Sequence, residues 1–587
     1  MTRLLILFGL TSLTLAAQGM GGSTKGLGRI PPKLKGGPAP PPIDYRDVAG
    51  SIGLTASNVY GGEAKKRYIL EMSGNGVALF DFDNDGWLDV LLVNGTRLDA
   101  VPDGARANVL YRNRGDGTFA DVTAGSGLGR SGWGQGACAG DYDNDGITDL
   151  LITRYGYNVL YRNLGNGKFD DATKQAGLPV SGQRWATGCA FLDYDRDGYL
   201  DLFVSNYLGF DLKTASQPGA SPFCFWKGLA VFCGPRGFPG GENILYRNNR
   251  AGGFENVSKR AGILIGGLHY GLGVIASDFD NDGWPDIYVA CDSTPGILYA
   301  NNRNGTFSDI AVEAGVAYGE AGQEMGSMGV AAGDYDGDGL MDIVKTNFMD
   351  ETSTLYRNEG DRFFTDVTYQ AGLGVNTKFA GWGVEFLDAD HDGRQDILIA
   401  NGHIYPEMES SGGEERFRQS KLLYWNNGEG IFRDVTPSSG AGLNAKTSSR
   451  GMASGDLDGD GVLETVIVNM NAPPSVLRNV AAKGNALLVQ LVGTKSNRGA
   501  IGARVKVEVG GRGQVRELRS GSSYASQPDF RLHFGLGAAD TVDRIDIRWP
   551  AGNVETITKV PANHLVTIRE GEGIIRKEPF RRPSRLP

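Results

Sequence analysis

The residues of this chain whose types and spacing could do chemistry are mostly aspartates, and they recur in one nine-residue pattern, D-x-D-x-D-G-x-x-[DE]. The pattern occurs seven times. Its acidic positions are Asp81, Asp83, Asp85 and Asp89; Asp141, Asp143, Asp145 and Asp149; Asp193, Asp195, Asp197 and Asp201; and Asp278, Asp280, Asp282 and Asp286. The last three copies supply Asp334, Asp336, Asp338 and Asp342; Asp388, Asp390, Asp392 and Asp396; and Asp456, Asp458, Asp460 and Glu464. Side chains at positions 1, 3, 5 and 9 converge on one centre only if the backbone curls back. Glycine at position 6 supplies the positive φ that such a curl needs. An all-oxygen cage with several carboxylates suits a hard cation, and its size and flexibility favour Ca²⁺ over Mg²⁺. A backbone carbonyl at position 7 and waters would complete the shell. One such stretch could be a solvated acidic turn; seven in register point to up to seven Ca²⁺.

An EF-hand is excluded, because it needs flanking helices and a Glu at position 12, where the first copy has Leu92. Thrombospondin-like arrays pack such loops more closely and are rich in Cys, which this chain is not. The residues after each loop are strand-like, as in "WLDVLLVNG" and "YLDLFVSN", and a second phrase, "NVLYRNRGDGTFADVT", recurs as two strands around a Gly/Asn turn. A Gly stands five residues before each loop: Gly76, Gly136, Gly188, Gly273, Gly329, Gly383 and Gly451. Gly inside a strand marks close backbone approach, as expected where innermost strands crowd around one axis. Four short strands per unit in seven units predict an all-β fold, a seven-bladed β-propeller over residues 44–483. The last unit lacks the "F.DVT" phrase, which stands alone near the start as "YRDVAGSIGL". Tyr45–Ala49 is therefore expected to complete the last blade and remove its open sheet edge.

At 587 residues the chain is too long for one ordinary core, and its 89 glycines suit many tight turns. The formal charge of −10 counts the loops as empty. Seven Ca²⁺ would bring it to roughly +4, so the acidic balance says nothing about an anionic partner. Met1–Gln18, with Arg3 ahead of an apolar run, reads as a signal peptide of a secreted or periplasmic protein, and no other stretch approaches spanning length. A Gly/Pro-rich linker is expected over 19–43. Short alternating segments over 484–570 predict a small β-sandwich of about seven strands, and residues 571–587 a basic disordered tail.

The loops together with "LYRN.G.G.F.DVT..AGL" resemble FG-GAP/VCBS repeats of integrin-α-like propellers. "GTKSNRGAIGARVKV", "HFGLG" and "IRWPAG" resemble the ASPIC/UnbV domain. The pairing is similar to the cartilage acidic protein family. That resemblance covers about 44–570 and implies calcium binding and extracellular interaction, with no enzymatic activity to carry over. Glu464 and the non-aromatic Ala389 and Leu457 depart from the pattern and mark loops six and seven as the weakest sites.

Other residues invite chemistry less strongly. Cys224 and Cys233 bracket "FWKGLAVF" in the long insertion 205–243 and are expected to form a disulfide in an oxidising compartment. Cys138, Cys189 and Cys291 are expected to be core thiols. Arg114-Gly115-Asp116 spells an integrin-binding tripeptide but occupies an ordinary repeat turn, Leu164-Gly165-Asn166 in the next unit. Both long insertions, 205–243 and 402–421, leave the face opposite the acidic loops. A ligand face is expected there, of Trp226, Arg236, His403, Tyr405 and Glu407, with Trp133, Trp185, Tyr270 and Trp382 nearby; such groups suit a glycan or a protein. The function predicted is an extracellular protein- or glycan-binding module with structural calcium. The alternative is a polysaccharide lyase or glycosidase, for which no catalytic constellation is evident. Scattered basic residues and the lack of a recognition motif exclude nucleic acid.

Overall fold

The computed structural model describes residues 38–99, 108–410, 412 and 415–581. The expected leader Met1–Gln18 and most of the expected linker lie outside the described residues, as do 582–587. Each repeat forms a four-stranded antiparallel sheet. In blade one these strands are Val77–Phe80, Asp89–Leu92, Val109–Asn113 and Phe119–Asp121. Innermost strands such as Gly134–Gly140 and Ser327–Gly333 carry Gly, Ala, Cys and Ser, small enough to meet around a common axis. Second strands such as Asp286–Cys291 are continuous apolar runs, buried because both faces pack against neighbouring blades. Tyr45–Asp47 pairs with Ser475–Asn479 to complete blade seven, as the displaced phrase predicts.

The ring is stapled at every joint. The Asn of the repeated "LYRN" phrase, at or near the end of each third strand, donates from its side chain to the main-chain carbonyl at position 2 of the preceding blade's acidic loop. Asn163 reaches Phe82, Asn248 reaches Tyr142, and so on to Asn113, which reaches Leu457 and closes the circle. All seven bonds are 2.7–2.9 Å. A buried carbonyl left unpaired would cost about 1–3 kcal/mol, so each Asn ties blade to blade.

Eight strands, one more than expected, form the second domain as two facing four-stranded sheets. They enclose an apolar core that includes Leu487, Val505, Phe534, Ile545, Trp549 and Val566. The expected disordered tail is a correction: Gly573–Pro579 is an edge strand paired with His564–Arg569, and Phe580 donates its N–H to Asn563. Its alternating register with a buried strand outweighs its basic composition.

The sandwich also reaches into the ring. Its segment 520–529 fills the central channel, where Ser523 pairs with Val330 of blade five and Gln527 with Ala78 of blade one. Tyr524 is buried edge-on against Trp382, with ring centroids 4.7 Å apart. The glycines five residues ahead of the loops make this possible. A Cβ at Gly76 would stand 1.7 Å from the Ala525 carbonyl, and one at Gly329 would stand 2.0 Å from the Trp382 carbonyl of the next blade.

Candidate metal centres

In every copy the acidic loop is shaped by its own carboxylates. The position-1 side chain accepts main-chain N–H groups inside the turn, as when Asp81 accepts from Asp85 at 3.0 Å and from Gly86 at 2.8 Å. The position-9 side chain opens the second strand and accepts the position-2 N–H in all seven loops, at 2.9–3.3 Å. It also accepts from the main chain of the stapling Asn in blades one to six, for example Asn113 to Asp89 at 2.7 Å. Glycine at position 6 has the expected positive φ, +90° at Gly86. Position 4 is left-handed as well, including Asn84 at +56°, which the spacing did not announce.

These bonds leave selected oxygens unmatched. The Oδ1 atoms of Asp83, Asp143, Asp195 and Asp458 are buried and have no hydrogen-bond partner. Asp83, Asp143 and Asp195 belong to clusters in which three carboxylate oxygens lie within 4.8 Å of one another. Burial, with the neighbouring acids adding to it, pushes Asp83, Asp143 and Asp195 up, and in the same loops Asp81 to about 6, Asp141 to about 7 and Asp89 to about 8. An unpaired buried carboxylate oxygen is costly, and a hard cation in contact with it removes the cost. The donor set fits Ca²⁺.

The sign of the pH response follows. Without an ion these acids hold protons more tightly folded than unfolded, so the chelated protein should gain stability as the pH falls from about 8 to about 5. With calcium, protons compete for the same oxygens, and stability should fall over that window. Melting temperatures in EDTA and in Ca²⁺ are therefore expected to converge towards acid pH; parallel curves would count against the cages.

Arginines attend the loops. Arg112 lies 2.7 Å from Asp83 and 3.1 Å from Asp85, and Arg162 and Arg247 repeat the contact in blades two and three. The repeated Arg of "LYRN" is the visible signal for them. The sandwich sits on this same face: Arg531 donates to the Asp456 carbonyl at 2.8 Å, Arg548 pairs with Asp278, and His533 contacts the Gly461 carbonyl.

The opposite face corrects the expected ligand surface. Trp226, His403 and Tyr405 are buried, packed with Phe232, Phe348 and Met408 into a lid over the channel. Trp185, Tyr270 and Trp382 lie in the same cluster, and Trp133 is only partly buried against it. Large aromatics cluster because the two insertions have no other core to join. Glu407 is half-buried, and Arg236 pairs with Glu324 at the surface. Burial drives the His403 imidazole down to about 3, so it is no general acid at neutral pH.

The cysteines are also part correction. Cys224–Cys233 is a disulfide as expected, but Cys138 and Cys189, on the innermost strands of blades two and three, form a second one, with Cα atoms 5.8 Å apart. Adjacent inner strands bring them within bridging reach, which the linear sequence does not display. Cys291 is buried and free. Alkylation of the denatured, unreduced protein is expected to label one of the five cysteines, and all five after reduction; three labels before reduction would remove the second bridge.

Residues 81–152, 141–204, 230–289 and 278–344 match the FG-GAP-like repeat family, and residues 493–575 match ASPIC and UnbV. Those residues carry FG-GAP-like repeats and an ASPIC and UnbV domain. Among curated proteins it is similar to cartilage acidic protein 1 of Mus musculus, 28% identical over 48% of this chain and 42% of the relative, and of Homo sapiens, 27% identical over 51% and 43%. The chain thus spans less than half the length of the relatives it matches. The cartilage acidic protein resemblance seen in the motifs is borne out. Among solved structures it is similar to an Agrocybe aegerita lectin that recognises non-reducing terminal N-acetylglucosamine, 16% identical over 68% of this chain and 87% of that one, with a TM-score of 0.36. The blade count therefore rests on this chain's own strand pairing.

Proposed function

We propose that this FG-GAP-like protein is an exported, calcium-stabilised scaffold that binds a macromolecular partner, protein or glycan, without transforming it. The observation that carries this reading is the filling of the propeller's axis. The channel holds 520–529, the loop face carries the sandwich, and the other face is closed by the lid. A catalytic propeller needs an open axial cleft with convergent acids or a titrating base, and the conspicuous acids here line the loops. Export is supported by reading Met1–Gln18 as a leader, and calcium by the buried, unmatched carboxylate oxygens.

The surface left for a partner is the outside of the lid. Phe225 is exposed there, and Lys227 pairs with Asp350 at 3.0 Å beside it. An aromatic among charged groups suits polar macromolecular surfaces. The test is a pull-down from an extracellular fraction with the full chain in Ca²⁺ and in EDTA, beside a glycan array and a reducing-end release assay. Retention in Ca²⁺ only, weakened by Phe225→Ala and without release of reducing ends, is expected. Release of reducing ends from a polysaccharide would replace the scaffold reading with the lyase or glycosidase one.

A further inference from the structure

Loop four, Asp278–Asp286, is faced by more positive charge than its six counterparts. Arg362 lies 2.8 Å from Asp280, 3.4 Å from Asp282 and 3.3 Å from Asp286. Arg303 lies 2.6 Å from Asp282, and Arg548 of the sandwich pairs with Asp278 and donates to the Asn281 carbonyl at 2.9 Å. All four carboxylates thus meet a guanidinium. Three guanidiniums against four carboxylates leave a net charge of about one negative unit, whereas loops one and two each face one arginine of their own repeat phrase, and loop seven, where the single Arg478 meets Asp458, Asp460 and Glu464, keeps Asp458 Oδ1 unmatched.

The origin of these arginines is informative. Blade four has Ala300 where the phrase elsewhere supplies Arg112, Arg162 and Arg247. Arg362 comes instead from the turn of blade five, four residues after the stapling Asn. The other turns have Gly117, Gly167, Gly252, Gly305 and Gly430 there, all at positive φ. Arg362 adopts the same left-handed conformation at +63°. At that turn position a long side chain where the other turns have glycine is strained backbone held by what the side chain touches. Loop four, like loops five and six, lacks the unmatched position-3 oxygen of loops one, two, three and seven, because Asp280 Oδ1 accepts the Asp282 N–H at 3.3 Å.

We infer that loop four holds the Arg362 guanidinium where the repeat otherwise holds a cation, making it a calcium-independent clasp between blade four, blade five and the sandwich. The inference rests on the calcium reading of the other loops. Arg362→Gly restores the repeat's own residue and leaves two arginines, the number facing loop three (Arg247 and Arg250). Bound calcium per chain, measured by elemental analysis after desalting, and anomalous density in calcium-grown crystals test it. The wild-type chain should show no ion in loop four, and Arg362→Gly should gain one ion per chain, located there. An ion in loop four of the wild-type chain would overturn the inference, as would an empty loop four in the variant. Absence of calcium from every loop is a separate outcome that would overturn the calcium reading and this inference with it.

Discussion

Chelation of calcium should lower the melting temperature by about 15–20 degrees, and added Ca²⁺ should restore it. Four carboxylates about 4–6 Å apart repel in six pairs at about 1–4 kcal/mol each, which is the strain an empty loop carries before protonation relieves part of it. From the binding side, calcium at about one hundred times Kd stabilises each site by about 2.7 kcal/mol. Six filled loops therefore contribute about 16 kcal/mol. Unfolding entropy of about 2.1 cal/mol/K per residue gives the roughly 440-residue ring about 0.9 kcal/mol/K, which converts that sum into the stated shift. Extracellular sites of this type bind at about 10⁻⁴–10⁻³ M, so the measurement needs tens of millimolar Ca²⁺ against EDTA. A melt unchanged by EDTA would remove the structural role assigned to the loops.

The second large effect is expected at Arg450. Its side chain is fully buried and lies 4.1 Å from the ring centroid of Trp382. It donates to the carbonyls of Met72 at 3.0 Å, Gly402 at 3.3 Å, His403 at 3.3 Å and Ser449 at 2.7 Å, and to Ser448 Oγ at 3.2 Å. One guanidinium thus joins the segment before blade one, the second insertion of the lid and the inner strand of blade seven. Burial lowers it only to about 9, so it stays charged at neutral pH. Arg450→Ala removes the guanidinium donor from the Met72 and Ser449 carbonyls at about 1–3 kcal/mol each, while the Gly402 carbonyl keeps the Trp382 indole N–H at 2.8 Å and the His403 carbonyl keeps Ser448 Oγ at 3.4 Å. With the lost packing on Trp382, about 4–5 kcal/mol is lost, at the severe end for one substitution. That is about 5 degrees of melting temperature on the scale above, with early proteolytic cleavage in the lid. Arg450→Lys should recover less than half, because an ammonium has three donors and no planar fork. A variant melting within about one degree of the parent would show that Arg450 ties nothing.

The repeat made the fold and the cages readable. Asp-rich loops of fixed spacing, strands of fixed length and the displaced Tyr45 phrase are local signals, and local signals survive in one dimension. The stapling Asn stood in plain view in "LYRN", but its partner lies in the preceding blade and only the closed ring reveals it. Trp226, His403 and Tyr405 misled because aromatic residues in a long insertion read equally well as a binding face or as a small core; burial decides between them. Cys138 and Cys189 are separated by 51 residues, and their pairing depends on blade geometry. Ser520–Asp529, small and polar in sequence, reads as a loop, and nothing local says that a ring surrounds it.

That threaded segment has a consequence for biogenesis. The ring needs Tyr45–Asp47 from early in the chain and Ser475–Asn479 from far downstream, and the piece that fills its axis is made later still. Six blades emerge from the ribosome before the seventh can be completed, and then wait about 45 residues more for their centre, several seconds at about 5–20 residues per second. During that wait the inner strands present small residues and unpaired main-chain groups to solvent, the kind of edge that invites another chain. Newly made protein is therefore most exposed to misassembly between completion of blade seven and the arrival of residues 520–529, and anything that holds the ring open over that interval would protect it.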